Sequence, residues 1–90
     1  MQIGDRVILL PRRWPAACNN PYWGWRDEHI IGTLLSANNN NYQVSWDNGT
    51  HNGYNNGDLM VYSKRNALWA EMATRMRDIY LIQQDIGESL

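Results

Sequence analysis

Aromatic and basic side chains crowd one stretch of this sequence, and they are its strongest candidates for chemistry. Arg12 and Arg13 precede Trp14, and Tyr22, Trp23 and Trp25 follow within the same segment, residues 12–28, RRWPAACNNPYWGWRDE. A guanidinium grips a carboxylate or phosphate through paired hydrogen bonds, while an indole or phenol ring stacks on proline, a cation or a base. A second stretch, residues 42–59, YQVSWDNGTHNGYNNGDL, adds Tyr42, Trp46 and Tyr54. The plain alternative is that Arg12 and Arg13 are solvated charges and the rings fill a core. Trp46 is read as core, because it lies in phase with Val44 along an extended chain. Trp23 and Trp25 share a face if their segment is extended. The ligand-binding set is therefore Arg12, Arg13, Trp14, Tyr22, Trp23, Trp25 and Tyr54.

Other reactive types are poorly placed for catalysis. Asp47 and Asp58 sit in turns, where an aspartate usually bonds its own backbone. His29, His51 and Cys18 have no zinc-ligand spacing, and neither a phosphate loop nor a nucleophile elbow is present. The sequence reads as a non-enzyme, with no metal or cofactor expected.

The elements that must position these residues are mostly strands. Residues 4–10, GDRVILL, form a first strand with a buried character, and Pro11 stops it because proline cannot donate to a sheet ladder. Residues 12–28 are a long loop, punctuated by Pro15, Pro21 and Gly24, and loops of that length in small domains tend to be functional. Residues 29–37 give a second strand, with a bulge or bend expected at Gly32. Asn38–Asn41 reads as a polar turn. Tyr42, Val44 and Trp46 alternate along a third strand, and Asn48-Gly49 marks a hairpin in which both residues tolerate positive φ. A fourth strand covers residues 50–54, and Met60-Val61-Tyr62 a fifth.

From about residue 67 to 86 the period changes. Trp69, Met72, Met76, Ile79 and Ile86 fall at helical spacing, Ser63 or Asn66 can cap the helix, Glu71 and Arg75 form an i,i+4 pair, and Gly87 ends it. The stripe either packs on the strands or pairs with a second copy through Trp69, Met72, Met76 and Ile79, and Gln83 interrupts its heptad register. The expected fold is mainly β: a small SH3-like barrel of about five short antiparallel strands over residues 1–62, then one C-terminal amphipathic helix over 63–90.

Val44-Ser45-Trp46-Asp47-Asn48-Gly49, followed by Asn52, Tyr54 and Asp58-Leu59, resembles the V-x-W-D-N-G…N-x-Y…D-L signature of Mind bomb/HERC-type domains. Gly4-Asp5-Arg6-Val7, Ile31-Gly32-Thr33-Leu34 and the Trp23-Gly24-Trp25 loop extend the resemblance over residues 3–62. That resemblance implies an SH3-like recognition module for peptides or other protein segments, without catalytic activity. The family's acidic, glycine-rich loop is replaced here by Arg12-Arg13-Trp14-Pro15 and Asn19-Asn20-Pro21. A solitary small domain of this kind suits an accessory protein of a bacterium or bacteriophage.

Composition narrows the partners. A net charge of −1 provides no general attraction to nucleic acid or anionic lipid. No apolar run is long enough to span a membrane. The single cysteine excludes an internal disulfide framework and fits a cytoplasmic setting. The leading expectation is protein-segment binding through the aromatic loop. The alternatives are capture of a small nucleotide-like anion by Arg12, Arg13 and the rings, and a structural subunit assembled through its helix.

Overall fold

In the computed structural model, which describes residues 1–10 and 20–89 and only the backbone beyond Met76, five antiparallel strands form one sheet and a single helix follows. The strands are β1 (Arg6–Leu9), β2 (Gly32–Asn38), β3 (Asn41–Trp46), β4 (His51–Tyr54) and β5 (Leu59–Val61), and the helix is α1 (Lys64–Ser89). Their spatial order is β4-β3-β2-β1-β5.

That order forces the sheet to roll up. β4 and β5 lie at opposite edges, about 19 Å apart if the five strands were laid flat. Only residues 55–58 join them, through one turn of 3-10 helix at Asn56–Asp58. The sheet closes instead, and Tyr54 and Leu59 from the two edges meet in one core with Val7, Leu9, Tyr22, Leu34, Val44 and Trp46. The alternation of β3 supplies Val44 and Trp46 to this interior, as its sequence requires.

Turn chemistry sets the register. Asn39 and Asn40 both have positive φ, 45° and 66°, so the β2–β3 connection is a two-residue turn that matches the twist of its strands. The β3–β4 connection, residues 47–50, differs from the expected tight Asn-Gly turn, because of Asn48 and Gly49 only Gly49 is left-handed, at φ 91°. Asn48 spends its side chain instead, accepting from the Thr50 N–H at 3.0 Å and from the Thr50 hydroxyl at 2.6 Å. The bulge falls between Leu34 and Ser36 rather than at Gly32. Gly32 provides clearance, since a Cβ there would lie 2.5 Å from Val44 Cγ1 and 2.6 Å from Trp46 Cε3. The Trp46 ring packs flush on the β2 backbone only because position 32 has no side chain. The second strand begins at Gly32 instead of residue 29, and the His29 ring lies against Trp23 and Glu71.

β1 is buried on both faces. Val7 and Leu9 point into the barrel, while Ile8 joins Trp23 and Ala70 in a second cluster beneath α1. Ser63 caps the helix, its Oγ accepting from the Asn66 N–H at 3.0 Å, and Asn66 donates its side-chain amide to Val61 O. Gly87 does not end α1, which runs on to Ser89. One Gly in a helix interior costs about 1 kcal/mol, too little by itself to stop it.

Trp23 fastens α1 to the sheet at both of its polar ends. Its indole N–H donates to Ala67 O at 3.1 Å, and its own carbonyl accepts from the Thr74 hydroxyl at 2.7 Å. Thr74 is 2% exposed, so this carbonyl has little recourse to water.

Two substitutions test these contacts by urea denaturation. Gly32→Ala should lose about 1–3 kcal/mol by overpacking against Trp46, while Gly57→Ala, with open space around it, should stay within about 0.5 kcal/mol of wild type. Thr74→Val keeps the shape but leaves the Trp23 carbonyl unpaired, and should cost about 1–3 kcal/mol.

Candidate functional site

A concavity among the described residues wraps around the edge strand β4. It is an open cleft of about 330 Å³, lined by Asn20, Tyr22, Asn41, Asn52, Gly53, Tyr54, Asn55 and Asp58. A chain of hydrogen bonds builds its floor. The Trp46 indole N–H donates to the Tyr54 hydroxyl at 3.1 Å, and that hydroxyl donates to Asn20 Oδ1 at 2.8 Å. Asn52 Nδ2 approaches the same oxygen at 3.4 Å. Trp46 and Tyr54 also meet edge to face, with centroids 5.8 Å apart. The phenol is therefore held at ring and hydroxyl alike.

Strand pairing decides what the rim offers. The Trp46 N–H to Thr50 O bond fixes one hydrogen-bonded pair, and such pairs alternate along an antiparallel ladder. Asn52 and Tyr54 accordingly turn their main-chain groups toward β3. His51 and Gly53 turn theirs to the outer edge, where the Gly53 N–H meets Asn52 Oδ1 at 2.8 Å. Side-chain amides, each a donor and an acceptor, stand along a strand edge of the same character.

The aromatic residues expected at the site separate. Tyr22 and Tyr54 come together in the cleft, with their rings largely inside the barrel core at 5% and 9% exposure. Trp23 goes the other way. The Trp23 N–H bonds Leu9 O at 3.0 Å, Tyr22 bridges to Leu9, and successive side chains of this extended pair point to opposite faces. Trp23 thus sits under α1, 6% exposed, with His29 against its edge at 4.8 Å. Trp23 and Trp25 do not share a face, because Gly24 (φ 79°) turns the chain between them. Trp25 is half-buried against the barrel core, and the Arg26 guanidinium lies 5.8 Å from its ring centroid. Arg26 and Asp27 are themselves left-handed, at φ 54° and 61°, an uncommon conformation for these residues. Arg12, Arg13 and Trp14 lie outside the described residues.

Asp58 finds the local backbone partner that its turn position suggested, whereas Asp47 departs from that expectation and pairs with a distant side chain. Asp58 accepts from the Asn55 N–H at 3.2 Å. Asp47 reaches across the sheet to Arg6 with both oxygens, one at 3.0 Å and the other closer, while Arg6 also donates to Thr33 Oγ1 at 2.7 Å. This forked bond holds the Asp47 carboxyl below its ordinary range and raises Arg6. Among the described residues no cluster of three His, Cys, Asp or Glu is placed to hold a metal ion. The asparagine wall of the cleft was not legible beforehand, since each Asn reads singly as a turn former.

No protein-family model matches the chain, and no curated protein matches it.

A group whose folded pKa is depressed stabilises the fold above its unfolded value and loses that contribution as pH falls through the folded one. Urea midpoints should therefore drop as pH falls below 3.8, the ordinary value for Asp47. The part of that drop due to this pair should vanish in Asp47→Asn and shrink in high salt, because both side chains are about half exposed.

Proposed function

We propose that this protein is a non-enzymatic binding module that takes an extended protein segment along β4 and into the adjoining cleft. One observation carries the reading: the cleft lies against a sheet edge and is walled by asparagine amides. An extended segment presents alternating N–H and C=O groups, the complement of such an edge, and strand addition is a common mode of peptide capture. Asn20, Asn52 and Asn55 then bond its backbone or polar side chains, and the edges of Tyr22 and Tyr54 give it an apolar footing. The resemblance to Mind bomb/HERC-type domains over residues 3–62 supports the same class of ligand. The aromatic loop contributes through Tyr22, while Trp23 serves the fold.

The test is selection from a random peptide display library, followed by amide mapping of the best binder. Shifts confined to His51, Gly53, Asn55 and Asn20 are expected. Asn20→Ala/Asn52→Ala should weaken binding about tenfold, the worth of one to two hydrogen bonds. A binder whose shifts fall on α1 alone would place the recognition surface elsewhere and end this reading.

A further inference from the structure

The sheet uses only one side of α1. Ala67, Ala70 and Thr74 lie against Trp23 and the outer face of β1, at helical spacings of three and four. Trp69, Met72 and Met76 form a second stripe with the same spacing on the other side, and they are 53%, 62% and 66% exposed; Leu68 flanks them at 59%. With Trp69 and Met76 at position a and Met72 at d of a heptad, the docked residues fall at f and b, the back of the helix. The helix backbone runs on to Ser89, and the sequence puts Ile79 and Ile86 at the next d positions, with Gln83 at the intervening a.

Charge bears on the direction of pairing rather than on the face itself, since Lys64, Asp78 and Asp85 fall at c of this heptad, Arg77 at b and Glu88 at f. Lys64, Arg65, Arg75 and Arg77 against Glu71 give the first half of α1 a net charge of +3, while Asp78, Asp85 and Glu88 give the second half −3. That distribution opposes the helix macrodipole, which favours anions at the N-terminus and cations at the C-terminus. A second copy running antiparallel reverses the disadvantage, setting each basic half beside an acidic one. A two-fold axis between positions 77 and 78 overlays the halves. The same axis brings a and d positions to common levels: 69 with 86, 76 with 79, and 83 with 72. Charge and apolar register thus select one alignment.

Area agrees. Leu68, Trp69, Met72 and Met76 leave roughly 500 Å² uncovered per copy, near the upper end of the largest patch on an ordinary monomer. Two copies bring about 1,000 Å², the size at which a specific interface begins, before the second half of each helix is counted.

We propose that α1 is a dimerisation element, and that two copies of this chain pair their a/d faces as antiparallel helices about that axis. The barrels lie on the outer sides of the pair, so both β4 clefts stay open. The proposal does not depend on what those clefts bind.

Light scattering over the micromolar range tests the state, and a spin-label distance tests the direction. The wild-type chain should show twice the monomer mass. Met72→Glu/Met76→Glu should raise the dissociation constant roughly 100-fold or more, by burying unpaired charge at the centre of the seam. Both residues are solvent-exposed in the single chain, so the variant's sheet amides should keep their wild-type dispersion. Labels on Lys64→Cys in a Cys18→Ala background should stand about 40 Å apart in the antiparallel dimer, against about 20 Å in a parallel one. A wild-type monomer, a dimer that survives the double substitution, or the shorter distance would each overturn the proposal.

Discussion

Trp23 supplies both ends of the link between sheet and helix, giving its indole proton to Ala67 and receiving the Thr74 hydroxyl at its carbonyl. Much else depends on that link. A solitary helix is held only by its own propensity, and α1 carries its charges in the order its dipole disfavours. The barrel gains as well, because Ile8 would otherwise present an apolar face to water. A ring that appeared suited to a ligand is thus committed to the fold, and the concave surface is left to smaller, polar residues.

Much of the barrel was legible in the sequence because its signals are local. The alternation of Tyr42, Val44 and Trp46, the apolar run of β1 and the turn residues between strands each act over a few positions. The observed departures arise where a distant residue decides. Gly32 looked like a bulge and is instead clearance for Trp46, across the β2–β3 pair. The helix period was legible too, but not which stripe docks. Size gives the larger residues the greater claim on a core, yet the small Ala67, Ala70 and Thr74 face inward because Trp23 already fills the space beneath them.

The cleft was harder to foresee for a similar reason. Tyr22 and Tyr54 were marked as candidates and they do converge, but the asparagines around them come from three separate stretches of the chain. Only closure of the barrel brings position 20 against positions 52 and 54. The hydrogen bonds from Trp46 through Tyr54 to Asn20 tie core to rim, so the geometry of the cleft depends on the same tryptophan that demands a glycine at position 32.

The rolled sheet also carries an implication for the order in which its parts assemble. β2, β3 and β4 are joined by short turns, so their pairing closes small loops at little entropic cost. β1 and β5 come from opposite ends of the barrel sequence, with Val7 against Val61 and Leu9 against Leu59. Their seam closes the longest loop in the sheet, and α1 has nothing complete to dock on until it forms. Loop-closure entropy thus favours a β2–β3–β4 meander that pairs early and a β1–β5 seam that closes late.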